Sequence, residues 1–264
     1  MKIYMMTDLE GVAGVTTFYK ETTPDGPYYE HARKLLTAEI NAVVEGLLAE
    51  GVEEVLVGDW HGPGAVNFAE LHPRALLLHG RPMAPWPVLD AATRGYDALV
   101  IVGQHAMAGT VDGNMNHTQS SKDIDYYTLN GRPIGEIAQA ALYQGSFGQP
   151  LIFLSGDEAA CREAEALVPG IVTAAVKKGL ARNCAISCSA QESARRLREG
   201  AAEAVRRHRK NPVAPLRWEP PYVLEKRYFH TDTADQAAKH PLAERVDSQT
   251  VRLRSDDIRS VIYT

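Results

Sequence analysis

The 264-residue chain has little of several features that mark specialised classes of protein. It has three cysteines, 7% aromatic residues, and 28 Lys and Arg against 33 Asp and Glu, a formal charge of −5. A small, odd number of cysteines argues against a disulfide framework. The slight acidity gives no electrostatic reason to expect nucleic acid as a partner. With 45% hydrophobic and 23% charged residues, the composition is globular rather than disordered.

Long hydrophobic runs are also missing. The longest clean run, residues 98–102, is far shorter than the roughly 20 residues that span a bilayer. The run at residues 3–6 is too short for the apolar core of a signal peptide. Cys184 and Cys188 lack the CxxC spacing of a thiolate metal site. We therefore predict a cytoplasmic protein with no membrane partner.

Short apolar runs alternate with helical patterns over the first two thirds of the chain. Gly51 is placed to end one helix, Asn130-Gly131 indicates a hairpin turn, and Ser189 with Glu192 forms a capping-box pattern. Strands are predicted at residues 3–7, 55–57, 76–78, 98–102, 126–129, 150–154 and 171–176, and helices at 31–50, 135–143 and 189–208. This alternation predicts an α/β fold with a mostly parallel sheet and flanking helices.

A change of composition at the Pro-rich segment 211–215 marks a predicted boundary. We expect residues 1–210 to form an α/β catalytic, metal-binding domain and residues 211–264 to form a smaller C-terminal α+β region. In that region, strands are predicted at 222–229 and 250–254, with a short helix at 234–239.

Carboxylates and imidazoles follow several of the predicted strands. Asp8 and Glu10 follow the first strand, His61 the second and His105 the fourth. Asp59 and Asp157 also lie at strand ends. Because ligands of open α/β sheets gather at the carboxyl ends of the strands, we expect these side chains to approach one another. Imidazole and carboxylate together are the ligand set for zinc or manganese.

Each of these residues also has an ordinary structural explanation. The Asp8/Glu10 pair suits a turn or a helix N-terminus, and a single histidine at a strand end is more often a hydrogen-bonded structural residue. Glu136 suits the first turn of a helix, and His117 lies in a polar loop where a surface position is the default. The combination favours metal binding. Three carboxylates against two divalent cations leave a charge that one hydroxide neutralises, so two metals are preferred.

At these positions the chain resembles the DppA-type D-aminopeptidase family of binuclear zinc peptidases. The similarity covers most of residues 1 to about 190, with five short motifs in the same order. The motifs are Met5–Gly11, Asp59–Gly62, Gly103–Ala106, Met115–Thr118 and Arg132–Glu136, and the stretch from Gly156 to Lys177 is similar too. The region after about residue 210 is much less similar.

The resemblance implies a role for each site residue. Asp8 would bridge two zinc ions, Glu10 and His61 would complete one site, and His105 and Glu136 the other. His117 corresponds to the family's catalytic histidine, described as a nucleophile, although a general acid/base role is physically easier. Trp60 stands where family members often carry a small serine, which implies a different pocket wall.

The predicted function is that of a metal-dependent aminopeptidase acting on short peptides or amino-acid amides through a hydroxide activated by two zinc ions. D-amino-acid specificity and a large homo-oligomer, a decamer of two five-membered rings, are implied by the resemblance alone. Manganese is the other metal that suits the ligand set. Two alternatives stay open: a binuclear amidohydrolase acting on non-peptide amides, and a non-catalytic small-molecule binding protein that keeps the metals for structure.

Overall fold

Twelve strands and seven helices make up the structure, a computed structural model that describes residues 1–264. The strands are β1 (Lys2–Thr7), β2 (Glu54–Asp59), β3 (Ala75–Leu78), β4 (Ala98–Gln104), β5 (Ile124–Leu129), β6 (Arg132–Ile134), β7 (Leu151–Asp157), β8 (Val172–Ala181), β9 (Cys184–Ser187), β10 (Tyr222–Tyr228), β11 (Ala243–Arg245) and β12 (Thr250–Ser255). The helices are α1 (Phe18–Glu21), α2 (Tyr29–Ala49), α3 (Trp86–Thr93), α4 (Glu136–Ser146), α5 (Glu158–Leu167), α6 (Ala190–Lys210) and α7 (Thr231–Ala237).

The main sheet has seven strands in the order β3-β2-β1-β4-β7-β8-β9. All neighbours are parallel except the β8–β9 pair at one edge. Its central strands β4 and β7 are buried along their whole length, as strands covered on both faces must be. The predicted α/β fold with a mostly parallel sheet is therefore confirmed.

Helices α2 and α6 pack against each other beside the main sheet, and their ends show how the sequence sets them. Gly51, with φ of +75°, follows α2 in a left-handed conformation that a glycine adopts without strain. At the start of α6, the Ser189 hydroxyl accepts a hydrogen bond from Glu192 N. The capping box is only half formed, because the Glu192 carboxylate binds Arg195 and Arg196 instead of the Ser189 backbone.

The smaller sheet is antiparallel, with the order β11-β12-β10-β5-β6. The β5–β6 turn has positive φ at both Asn130 and Gly131, as the predicted hairpin requires. Strands β10 and β12 with α7 form the α+β region expected beyond residue 210, and β5 and β6 from the middle of the chain complete their sheet. The division of the chain at residue 210 stays a prediction.

Helix α4 lies between two hydrophobic cores and belongs to both. Ile137, Ala140 and Ala141 pack into the core of the main sheet. Ala138, Leu142 and Tyr143 pack into the core under the smaller sheet. A helix with apolar residues on both sides is held in position from both directions, and this fixes where its first residue, Glu136, lies.

Among the elements that the sequence pattern did not predict, α1, α5 and β9 share a weak contrast between a buried apolar face and an exposed polar face. The buried face of α5 consists of alanines and one cysteine, which give little hydrophobic contrast in the sequence. Helix α1 has no buried residue, and strand β9 is half exposed at a sheet edge.

None of the helices is both long enough and apolar enough to cross a membrane.

Candidate metal centre

The predicted site residues lie where the strand order of the main sheet reverses. The chain runs from β1 outward through β2 to β3, then returns to place β4 on the other side of β1. This leaves a crevice at the carboxyl ends of β1 and β4, the usual ligand position in an open α/β sheet. Asp8 and Glu10 follow β1, His61 follows β2 and His105 follows β4.

Asp8, Glu10 and His61 form the first group of possible ligands. One ligand atom from each lies within 4.8 Å of the others, and all three side chains are buried. His61 Nδ1 is 3.2 Å from Asp8 Oδ1 and 3.1 Å from Glu10 Oε2. The two carboxylates that follow the first strand therefore converge on one imidazole nitrogen, as expected for strand-end side chains.

His105, His117 and Glu136 form the second group, with the same 4.8 Å limit between ligand atoms. His105 Nε2 is 3.5 Å from Glu136 Oε1, and His117 Nε2 is 3.9 Å from the same oxygen. The two imidazole rings stack with centroids 3.9 Å apart. All six predicted site residues thus lie in these two groups.

Asp8 connects the two groups through its two oxygens. Oδ1 faces His61, while Oδ2 lies 3.1 Å from His105 Nε2. The carboxylate is oriented by two further hydrogen bonds, from Leu9 N to Oδ1 and from Gln104 Nε2 to Oδ2. A carboxylate placed in this way can serve two cations at once.

Each of the three histidines is fixed by one ring nitrogen that faces a backbone carbonyl. His61 Nε2 is 2.8 Å from the Thr22 carbonyl, His105 Nδ1 is 2.9 Å from Ala106 O, and His117 Nδ1 is 2.9 Å from Met115 O. A carbonyl only accepts, so these nitrogens carry the proton. In a neutral ring, the other nitrogen is then a bare lone pair.

The bare nitrogens face carboxylate oxygens rather than hydrogen-bond donors. Buried His105 Nε2 and Glu10 Oε2 have no hydrogen-bond partner at all. Lone pairs that face each other in a buried site repel unless a cation or a proton lies between them. Backbone-anchored imidazoles and carboxylates are the usual coordination of zinc, so the residues present fit that ion.

The charges of the cluster shift its titration strongly. Burial raises the pKa of Asp8, but contacts with His105 and His61 outweigh it and hold that pKa well below the usual range. For His61 and His105 burial acts to lower the pKa, and the carboxylates beside them raise it well above the ordinary value. Burial and the charge of His105 lower the pKa of His117, which therefore stays neutral most readily of the three.

Close backbone contact between the ends of β1 and β4 sets the spacing of the cluster. Gly11 N donates to Gly103 O at 2.7 Å, and a Cβ at Gly11 would lie 2.1 Å from Gln104 O. Gly103 has φ of +77°, and its Cβ would lie 2.2 Å from Asp8 O. Larger residues at either position would force apart the two strand ends that carry Asp8 and His105.

His117 is buried, so the surface position that is the default for a loop histidine is wrong. Met115, two residues before it, is fully buried and holds φ of +51°. Gln119, two residues after it, has φ of +63°, and its N–H donates to Glu136 Oε1 at 2.6 Å. Two left-handed non-glycine residues around one histidine are the kind of local strain found at functional sites.

Two of the strand-end carboxylates do not join the cluster. Asp59 accepts hydrogen bonds from Ala65 N and Val66 N, and so closes the loop after β2. Asp157 caps α5 by accepting from Ala160 N, and also accepts from Asn114 N. Both carboxylates are used to bind backbone N–H groups, which the sequence position alone did not reveal.

Lys177 and Glu39 support the cluster, and neither was predicted from the sequence to lie beside it. The buried Lys177 Nζ donates to the Glu10 carbonyl and, at 2.6 Å, to the Val15 carbonyl. The buried Glu39 carboxylate accepts from Ala13 N at 3.0 Å. Together they hold the loop that carries Asp8 and Glu10 from both ends. The available signals were a lysine ending an apolar strand run and a glutamate on the apolar face of α2.

The cluster opens into a cavity of about 410 Å³. Asp8, Glu10, His61, His117 and Glu136 lie on its wall. Most of the remaining lining consists of hydroxyl and amide side chains and of aromatic rings, with Met6, Gly62 and Lys122 besides. A buried carboxylate–imidazole cluster at the strand ends of an α/β sheet, open to a cavity of this size, defines a metal-dependent hydrolase.

Comparison with known proteins identifies the family. The peptidase family M55, described as D-aminopeptidase, matches residues 1–264. The D-aminopeptidase of Bacillus subtilis (strain 168) is 30% identical over 262 residues, which are 98% of this chain and 93% of the relative. The solved structure of the Zn-dependent D-aminopeptidase DppA from Bacillus subtilis, a self-compartmentalizing protease, superposes with a TM-score of 0.90 at 30% identity, covering 98% of this chain and 93% of that one. The chain belongs to the D-aminopeptidase family, and the predicted class, a metal-dependent aminopeptidase, is confirmed.

The support that Lys177 gives to the Glu10 loop leads to a first prediction. In Lys177→Met, the Glu10 and Val15 carbonyls lose their donor, so the Glu10 carboxylate is no longer held beside His61. We expect zinc to bind about 10–100-fold more weakly, the range found when groups that orient metal ligands are removed. Competition with a chelator of known zinc affinity measures the dissociation constant.

The matched control is Lys178→Met, one residue along the same strand, where the side chain is exposed. It should bind zinc as the unaltered protein does. Circular dichroism verifies that both variants are folded. A folded Lys177→Met protein with unchanged zinc affinity would show that the lysine does not position Glu10.

Proposed function

We propose that this aminopeptidase holds two zinc ions per chain, with Asp8 between them. Glu10 and His61 complete one ligand set, and His105 and Glu136 complete the other. The observation that carries the proposal is the arrangement of bare imidazole nitrogens against carboxylate oxygens, with Asp8 facing both histidines at 3.2 and 3.1 Å. One cation would satisfy only one of these two groups.

Charge balance supports the same count. The three carboxylates carry three negative charges in a buried site, and two divalent ions leave one positive charge. Zinc ions, when bound, lower the pKa of water and polarise the scissile carbonyl. The free α-amine of a peptide would meet one of the ions or a carboxylate of the cluster, which is how an aminopeptidase distinguishes a chain end from the middle of a peptide.

His117 is proposed as the acid/base group rather than a nucleophile. Its Nδ1 is fixed by Met115 O, and its lowered pKa leaves Nε2 free to accept a proton and return it. Nε2 lines the cavity 3.9 Å from Glu136 Oε1, where it can protonate the leaving amine. Because His117 lies within ligand distance of His105 and Glu136, its competing role is that of a third ligand of the second ion.

The proposed substrates are short peptides or amino-acid amides with a free N-terminus. A cavity of about 410 Å³ is at the lower end of the range for small-molecule sites, which suits a short substrate. Preference for a D-residue at the N-terminus is proposed from the D-aminopeptidase activity named for the Bacillus subtilis sequence and for the similar solved structure. A non-peptide amide is the competing substrate class for the same ligands.

A homo-oligomer is also proposed, since the similar zinc enzyme is described as a self-compartmentalizing protease. A decamer would be the assembly implied by the sequence resemblance. The cytoplasmic location, which rests on three unpaired cysteines, likewise stays a proposal. Manganese as the resident ion stays a prediction from the ligand set alone.

The central prediction concerns both the number of zinc ions per chain and the rate of dipeptide hydrolysis. The zinc-loaded protein should hold two ions per chain by elemental analysis and hydrolyse D-alanyl-D-alanine faster than L-alanyl-L-alanine. Glu10→Gln and Glu136→Gln should each lose one ion, because a neutral amide is a poor zinc ligand. Both variants should lose nearly all dipeptide hydrolysis.

The control for this experiment is Glu219→Gln, an exposed position outside the cavity, which should keep both ions. Fewer than two ions in the loaded, unaltered protein would contradict the two-zinc proposal. Turnover of non-peptide amides with none of dipeptides would favour the competing amidohydrolase. Ligand binding without turnover of any amide would favour a non-catalytic binding protein.

The role of His117 is tested separately. In His117→Gln, proton transfer to the leaving group is lost while both ligand sets stay complete. We therefore expect kcat to fall by about 10²–10⁴-fold, the usual contribution of general acid/base catalysis, with zinc content unchanged. His31→Gln, an exposed histidine on α2, is the control. Loss of one zinc ion from His117→Gln would instead make the histidine a ligand.

The assembly gives a further prediction. Sedimentation velocity at micromolar concentration should give a species several times heavier than the 28.9 kDa chain, and a decamer would be ten times heavier. Removing zinc with a chelator tests whether the ions are needed for assembly. A single species with the mass of one chain would contradict self-association.

A further inference from the structure

The apolar part of the cavity wall is almost entirely aromatic. Trp60 and Trp86 stack with ring centroids 5.8 Å apart and planes 11° apart. Trp86 stacks in turn on Tyr263, at 5.1 Å and 14°. The three nearly parallel rings, here named the aromatic wall, all line the cavity that contains the ligand cluster.

Hydrogen bonds and further ring contacts hold the aromatic wall in place. Trp60 Nε1 donates to Tyr4 Oη at 2.5 Å. Tyr143 contacts both Trp86 and Tyr263, and its hydroxyl donates to Asp90 Oδ1 at 2.5 Å. The rings therefore do not need to reorganise when a ligand arrives. Trp86 is nevertheless 38% exposed, although three aromatic rings contact it.

The position of the wall beside the cluster decides what would contact it. Trp60 directly precedes His61 in the chain, so the wall begins at the cluster itself. An aminopeptidase substrate brings both its α-amine and its first carbonyl to the metal centre. The side chain on the intervening α-carbon must then lie within a few ångströms of the cluster, where the wall stands.

We propose that the aromatic wall of Trp60, Trp86 and Tyr263 is a binding subsite for an aromatic or large apolar side chain on the first residue of the substrate. The inference rests on the proposed function and specifies its substrate class. Flat aromatic rings present broad apolar area and stack favourably with an arriving ring. An alanine side chain would leave most of that surface in contact with water.

Turnover of amino-acid amides tests the subsite, because an amide carries only one side chain and has no aromatic leaving group. The zinc-loaded protein should hydrolyse phenylalanine amide with a kcat/KM at least about tenfold above that for alanine amide, in the chirality it prefers. In Trp86→Leu this ratio should fall to within about twofold of unity. Trp218→Phe, which alters the one tryptophan outside the wall, should keep the ratio of the unaltered protein.

Binding is measured separately from catalysis, by tryptophan fluorescence. The chain has three tryptophans, so in Trp218→Phe the only emitters are Trp60 and Trp86, both in the wall. Millimolar phenylalanine amide should change the emission of this zinc-loaded protein immediately after mixing, before hydrolysis is appreciable, and alanine amide should not. Trp86→Leu made on the same background should bind phenylalanine amide with at least about tenfold lower affinity, read from the amide concentration that gives half of the emission change.

The outcomes separate the subsite from the proposed function. An emission change with no hydrolysis of any amide would refute the proposed function and leave the subsite supported. Hydrolysis with the same phenylalanine-to-alanine ratio in Trp86→Leu and unaltered protein would overturn the subsite. An emission that does not respond to phenylalanine amide would also overturn the subsite. So would a Trp86→Leu protein that fails to assemble but keeps the phenylalanine-to-alanine ratio of the unaltered protein.

Discussion

The structure depends on one electrostatic constraint, the burial of carboxylate oxygens against bare imidazole nitrogens. Asp8 faces His61 on one side and His105 on the other, at 3.2 and 3.1 Å. Such a cluster repels itself unless cations or protons lie between these atoms, and burial strengthens both the repulsion and the attraction to a cation. The surrounding fold therefore has to hold the cluster rigidly, and the backbone contacts of Gly11 and Gly103 and the support from Lys177 serve that purpose.

Helix α4 ties this centre to the rest of the molecule. Its first residue is Glu136, and the helix is packed between the two cores. A chain of hydrogen bonds follows it: Gln119 N donates to Glu136, Gln119 Nε2 donates to Gln139 Oε1 at 3.0 Å, and Gln139 Nε2 donates to Ile262 O at 2.7 Å. The loop of His117, the second ligand group and the C-terminal segment are thereby held as one unit.

Hydrophobic pattern and residue type were enough to predict most of the main sheet, its long helices and four of the six site residues. The strand ends deliver Asp8, Glu10, His61 and His105 to one edge whatever the details of packing, because parallel strands share that edge. Glu136 and His117 could be predicted only with the family resemblance. Their positions depend on the packing of a loop and a helix that lie well after the first strands in the sequence. Asp59 has the same local pattern, yet its carboxylate turns to backbone N–H groups. Which strand-end carboxylate faces the crevice is decided by tertiary contacts that local sequence does not encode.

The ligand cluster and the aromatic wall are positioned by different parts of the fold. The ligand side chains follow strands or begin a helix between two cores, so their positions tolerate little change. Tyr263 and Trp86 come instead from the C-terminal segment and from the first residue of α3, and they contact each other rather than the ligands. Tyr263 lies next to Ile262, whose carbonyl accepts the last hydrogen bond of the chain from Glu136. A substitution at Tyr263 can therefore disturb the ligands as well as the aromatic wall, whereas a substitution at Trp86 changes the wall from outside that hydrogen-bonded unit.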